Sequence, residues 1–195
     1  APMDGTAVPD FRSGAGIVLP MTPLMLVVLA GLTAVLVLNA THEISRMTGK
    51  TALVDVGWAY CVGVIVVLFA VLGDGVGWRR VLLVVLAGAW SARLGTYLLR
   101  DRVLRGSEDG RYLALLAHWG GDAKRKFFWF HQVQAVFAFV FALPLLPIAL
   151  DTRAAFTFFD GAAILVCATA LIGEGVADGQ LAKWRDRPEN KGKTC

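Results

Sequence analysis

Glu174, Asp178 and Arg185 recur at steps of four and seven residues in an otherwise apolar stretch near the end of the chain. At 100° per residue the three positions fall within about 40° of one another on a helix, so two carboxylates and a guanidinium share one face. An ionisable side chain inside a membrane span costs several kcal/mol unless it finds a partner, which makes such a face a functional site by default. The set suits a polar ligand that donates to carboxylates and accepts from a guanidinium; it suits an internal ion pair equally well. A second stripe, Trp90, Arg93, Tyr97 and Arg100, recurs at three- and four-residue steps. That face can hold an anionic or planar ligand, or Arg93 can snorkel to the nearby boundary.

These residues need long apolar helices to position them. The chain has 195 residues, 56% of them hydrophobic, with a mean hydropathy of +0.61, which is too apolar for a soluble domain. Five windows are long enough to span a bilayer, at 21–39, 52–72, 81–99, 127–150 and 158–181,. Nothing alternates as barrel strands would. The fold expected is all-α, a polytopic transmembrane helix bundle, with residues 21–195 as one domain after a polar, Pro- and Gly-rich extension, 1–20, expected to be disordered. The first span lacks the charged flank and cleavage site of a signal peptide and is read as retained.

The net charge of +4 follows from topology and implies no nucleic acid. Arg46 and Lys50 fall in the first loop, a larger group from Arg100 to Lys126 in the third, and five cations in the tail, against Arg12, Arg79, Arg80 and Arg153 on the other side. The positive-inside rule places the first and third loops and the C-terminus in the cytoplasm. Cys61 and Cys167 lie within spans and Cys195 ends the chain. No Cys/His zinc spacing occurs, HEISR at His42 and Glu43 is not HExxH, and no metal is expected.

Asp55, opening the second span, either caps that helix or holds a buried cation, with Arg93 the nearest candidate. In the third loop, RYLALLAHW is expected to form a short helix whose Tyr112, Leu115, Leu116 and Trp119 lie in the membrane interface. The cations around it read as a lipid-facing patch. Glu108, Asp109 and Arg111 do not, because acidic groups gain nothing from anionic lipid. The fourth span starts with Phe127 to Phe130, an aromatic belt, followed by His131, Gln132 and Gln134, of which His131 and Gln134 can bond a neighbouring helix or a ligand. Pro144 and Pro147 are expected to bend or end that helix.

In order along the chain stand DVGWAY, W-x-x-R-L-x-x-Y-L-L-R, G-S-E-D-x-R-Y, an aromatic span ending in A-L-P-L, and G-E-x-x-x-D-x-Q-L-A-K-W-x-x-x-P-x-N-K-G-K. From residue 52 onward this series resembles the bacterial branch of the steroid 5-alpha-reductase family, related in fold to isoprenylcysteine carboxyl methyltransferases. The last motif is the most specific. The resemblance implies a bundle of about seven helices in a bacterial inner membrane, of which five are present here. It implies NADPH bound from the cytosolic side and hydride transfer to an activated carbon-carbon double bond of a lipophilic enone. Glu174 and Asp178 would then contact the nicotinamide side of the cofactor, and Arg185 and Lys193 its phosphates or adenosine end. Glu174 stands where steroid-specific members often carry Asn. The proton donor has three candidates by type: Tyr97, Tyr112 and Asp55. Family members continue with a segment like G-L-W-R-Y-S-R-H-P-N-Y-F-G-E and a further span, so a fragment with an incomplete cofactor site is expected. Two alternatives are kept: a methyltransferase using S-adenosylmethionine, and a non-enzymatic membrane protein in which Arg93, Glu174 and Asp178 are internal ion pairs.

Overall fold

The structure is a computed structural model that describes residues 21–104 and 109–190; the 1–20 extension, Glu108 and Lys193 lie outside the described residues. The described residues form seven α-helices in order: α1 (Pro23–Thr48), α2 (Leu53–Leu72), α3 (Gly77–Leu98), α4 (Gly110–Trp119), α5 (Ala123–Ala142), α6 (Leu146–Ala149) and α7 (Phe158–Arg185). The described residues contain no strand, and five helical segments are long and apolar enough to cross a membrane. The expected all-α bundle is the fold found.

Local chemistry sets the helix ends. Thr22 Oγ1 accepts from the Met25 amide and Pro23 takes the first turn of α1, where its missing N–H is no loss. The helix runs on to Gly49, whose φ of 70° and bond to the Ser45 carbonyl close it, a left-handed cap natural to glycine. HEISR is therefore helical and not a loop, because no residue between Asn39 and Gly49 breaks the helix. Pro144 and Pro147 end α5 at Ala142, as the sequence predicts, through a 3₁₀ turn and the four-residue α6. Thr157 and Asp160 exchange side-chain and backbone bonds across the first turn of α7, a capping box.

α2 is the central helix, packed by α1, α3 and α5, with ten buried residues. Its neighbours approach at small residues: a Cβ on Gly57 would meet Thr41 side-chain atoms at 2.4 Å, one on Gly63 would meet Ser91 Oγ at 2.3 Å, and one on Gly95 would strike the Tyr60 ring at 2.8 Å. Where lipid is as apolar as leucine, such close backbone approach is what drives helices together. Ser91 Oγ donates to the Ala59 carbonyl at 2.7 Å and the Tyr60 and Thr96 hydroxyls bond at 2.9 Å, so polar atoms cross the same interface.

The turn between α2 and α3 leaves no slack. The Gly75 amide donates to the Ala149 carbonyl, and a Cβ there would stand 2.4 Å from that oxygen. Because the obstacle is backbone, Gly75→Ala is expected to destabilise the protein by roughly 1–3 kcal/mol. Thermal unfolding in detergent checks this, with Gly77→Ala, where nothing lies within 4 Å, as the unaffected control.

α4 forms where RYLALLAHW suggests, but its apolar face is not spread on lipid. Tyr112 is 3% exposed, and Leu115, Leu116 and Trp119 pack on the core. Tyr112 and Trp119 rings lie 6.2 and 5.0 Å from Phe127. The aromatic start of α5 offers them a partner within the protein, which a lipid interface cannot match in fixed geometry. α7 is the opposite case. It packs chiefly along α3, and not one of its 28 residues is buried.

Candidate functional site

With so little packing, α7 is held by charge. Arg79 in α3 is 3% exposed and donates to both carboxylate oxygens of Asp160 at 3.1 and 2.9 Å, to Asp151 at 2.7 Å, and to the carbonyls of Arg153 and Ala155. One side chain thus ties the start of α7 and the loop before it to α3. Farther along, Arg93 reaches Asp178 and lies 3.0 Å from Glu174. At the last rung Arg185 donates to Asp101 at 3.1 Å. The three rungs join positions 81, 85 and 84 residues apart, so α3 and α7 run parallel as a ladder of ion pairs.

A cleft of about 620 Å³ opens between the second and third rungs. Arg93, Tyr97, Arg100 and Asp101 line it from the α3 side, and Gly175, Asp178 and Ala182 from α7. Arg100 is exposed and has no ion-pair partner among the described residues. Arg185 is half-exposed, at 52% of its side chain. The chain here is no longer α-helical: Leu99–Leu104 is a π-helical stretch, a widened turn of the kind that often marks a functional site. It turns consecutive side chains to opposite partners, Asp101 to α7 and Arg102 to α2.

Sequence and structure agree on part of this site. Glu174 and Asp178 do converge on Arg93, and Tyr97 lines the same cleft as Asp178. Arg185 shares their stripe but pairs with Asp101, one rung away. Arg93 does not pair with Asp55 and does not snorkel, because two carboxylates of α7 stand beside it. Trp90 leaves the stripe: its ring packs 6.1 Å from Trp58 and 5.5 Å from Phe141.

The remaining two proton-donor candidates sit elsewhere. Asp55 accepts from Arg102, from Arg111 at 3.2 Å and from the Tyr112 hydroxyl at 2.7 Å, and it makes no side-chain cap. Asp109 caps α4 through the Arg111 amide and pairs with Arg111 at 2.8 Å and Arg102 at 3.6 Å. The bond from the Arg111 side chain holds the Asp109 carboxyl below the usual carboxylate range. This is the purpose of the acidic residue that anionic lipid could not explain: it clamps α4 over the start of α2. Tyr112 and Asp55 are bound up in that clamp, which leaves Tyr97 as the hydroxyl that faces the cleft.

His131 turns inward, its Nδ1–H donating to the Phe127 carbonyl at 2.8 Å and its ring 4.7 Å from that of His42. Gln132, not Gln134, makes the bond to a neighbouring helix, to Asn39 at 2.9 Å. Among the described residues no group of three or more His, Cys, Asp or Glu side chains is gathered as metal ligands.

Sequence reasoning missed the Arg79 rung, although a signal existed. Asp160 lies at an angle within about 40° of Glu174 and Asp178 on the helical wheel, so the acidic stripe begins a full fourteen residues earlier,.

Compared with known proteins, residues 41–195 match the model of a family described as a protein of unknown function (DUF1295). No curated protein matches the chain, and no solved structure does.

Proposed function

The chain belongs to the DUF1295 family, and within that family we propose that it is an integral membrane reductase which holds NADPH in the α3–α7 cleft and reduces a carbon-carbon double bond of a lipophilic enone. One observation carries the reading. The helix with no buried residue turns Glu174 and Asp178 toward α3, where a cleft lies that is lined by Tyr97 and by Arg100, which has no ion-pair partner among the described residues. The ordered motifs that resemble steroid 5-alpha-reductases support the choice of cofactor and substrate class.

The side chains present fit one portion of such a cofactor. Asp178 and Glu174 keep acceptor capacity beyond Arg93, which suits amide and ribose hydroxyl donors; Arg100, and Arg185 by turning from Asp101, suit a phosphate. NADPH, when bound, supplies the hydride. Arg93 fixes where the two carboxylates point, and Tyr97 holds a proton at Oη on the cleft wall for the substrate. The small residues Ala92, Gly175 and Ala182 leave space for an apolar ring system. The basic third loop puts this mouth on the cytoplasmic side, where the cofactor is available.

NADPH titration of the intact protein in detergent, read by nicotinamide fluorescence, tests the assignment. Asp178→Ala and Arg100→Ala are each expected to weaken NADPH at least tenfold, the loss of about one charge-assisted hydrogen bond. Unchanged affinity in both variants would overturn the cleft as cofactor wall. A thermal shift with S-adenosylmethionine and none with NADPH would move the reading to a methyltransferase.

The pairing of Arg93 with both carboxylates favours a second reading, a non-enzymatic membrane protein in which the ladder only joins helices. It is separated from the first by the same titration: no ligand response, with α7 loosened by Asp178→Ala, is its signature.

A further inference from the structure

On the other side of the bundle, α4 and the start of α5 enclose a second cleft, of about 400 Å³, lined by Trp119, Arg125, Lys126, Trp129, Phe130 and Val133. Its composition is divided along its length. Arg125 and Lys126 stand in the first turn of α5, and Val133 lies seven residues further on, about 10 Å along the axis. Trp129 and Phe130 fall between them on the same face, at three- and four-residue steps.

The cations are available. Among the described residues Arg125 reaches only Asp122, at 4.0 Å, and both side chains are mostly exposed; Lys126 has no ion-pair partner there. The apolar end is available too, with Trp129 62% and Val133 49% exposed. The back wall is rigid: the Trp119 ring is wedged edge-on against Phe127 at 5.0 Å and lies 6.5 Å from Phe130, and Trp129 is braced by Phe128 at 5.5 Å. A pocket fixed by aromatic contacts, cationic at one end and apolar about 10 Å deeper, matches a molecule with an anion at one end and a hydrocarbon chain at the other. A soluble anion would leave the apolar half unused, and a neutral lipid would leave the Arg125 guanidinium and the Lys126 ammonium unmatched.

We propose that the α4–α5 cleft is a binding site for a single anionic phospholipid, its phosphate between Arg125 and Lys126 and one acyl chain along Trp129, Phe130 and Val133. The site is separate from the α3–α7 cleft and does not depend on what that cleft binds. Because Trp119 comes from α4 and the other lining residues from α5, the lipid bridges the two helices and adds to the clamp that Asp55 and Asp109 form at the other end of α4.

The probes are phosphatidylglycerol and phosphatidylcholine of identical acyl chains, added to the intact protein in a neutral detergent and counted as adducts by native mass spectrometry. The wild-type protein is expected to carry one phosphatidylglycerol at concentrations at least tenfold below those needed for phosphatidylcholine. Arg125→Gln with Lys126→Gln is expected to remove that preference, while Lys124→Gln, a neighbouring exposed cation outside the cleft, leaves it intact. Bromination of the phosphatidylglycerol acyl chains is expected to quench tryptophan emission, and Trp129→Phe to abolish most of the quenching. Equal retention of the two lipids, an undiminished preference in the double variant, or the same loss in Lys124→Gln would overturn the proposal. So would displacement of the lipid by glycerol phosphate at equal concentration, because the cleft would then read the phosphate alone.

Discussion

Replacing Arg79 by alanine lowers the thermal midpoint of the detergent-solubilised protein by about 10 °C or more, the largest effect expected of any single substitution here. The reason is the number of groups left behind. Asp160, under a fifth exposed, loses its cation, Asp151 is left with the exposed Arg153 alone, and the carbonyls of Arg153 and Ala155 lose their donor. Breaking an enclosed pair in this way costs far more than the pair contributes against an apolar substitute, because uncompensated charge remains. Arg79→Lys keeps the charge and recovers only part of the loss, since an ammonium cannot fork to two carboxylates and reach two carbonyls at once. Scanning calorimetry or tryptophan emission reports the midpoint directly. The same network sets a pH window. Bonds from Arg153 hold Asp151 down at about 2, below the roughly 3.9 of an unfolded aspartate. Its contribution is therefore complete above about pH 4 and lost as the pH falls toward 2. The Arg79→Ala protein keeps the Arg153 bonds on Asp151, so this part of its acid limb should fall in the same pH window as the parent's.

Arg93→Leu is the second. Glu174 and Asp178, one turn apart on α7, are then left without their cation, and α7 has no buried side chain to keep it in place. Amide hydrogen exchange over Glu174–Arg185 is expected to accelerate at least tenfold, while the Arg79 end of the helix keeps its protection. The exchange of charges, Arg93→Asp with Asp178→Arg, should return most of the protection, because the rung depends on the pair and not on which helix carries the cation. Fast exchange in the swapped protein would mean that packing, not charge, holds this stretch. Under the proposed function Arg93→Leu should also abolish NADPH binding, because the cation that docks the helix is the one that would aim the acceptors.

The five apolar spans and the end of α5 were legible because they rest on local chemistry, long apolar runs and Pro144 and Pro147; the continuation of α1 past Asn39 to its Gly49 cap was not read. The convergence of Glu174 with Asp178 was legible for the same reason, since a helix fixes the angle between its own residues. What could not be read was partnership between helices. Arg93 had one carboxylate nearby in the order of spans, Asp55, and two distant ones in α7; only the parallel placement of α3 beside α7 decides between them. Arg185 and Asp101 meet because the π-helical stretch rotates Asp101 from the position an ideal helix would give it, and nothing in LRDRVL announces a widened turn. The inward face of α4 was misread because amphipathic helices fit lipid and protein alike, and the partner in question, the aromatic start of α5, had already been assigned to the membrane interface.

The ladder between α3 and α7 has a translational consequence. Its rungs are fourteen and eight residues apart along α3 and the π-helical stretch that follows it, with the sign of charge reversed at the last. A slip of α7 by one turn in either direction would leave Arg93 beside one of its two acids, because Glu174 and Asp178 are themselves a turn apart. The outer rungs tolerate no such shift. Arg79 would meet Phe156 or Ile164, and Asp101 would meet Leu181 or Glu189. The middle rung alone would allow several registers, and the two outer ones select a single one, so the distance between the carboxylates of Glu174 and Asp178 and the hydroxyl of Tyr97 is fixed by residues at the far ends of the helix pair.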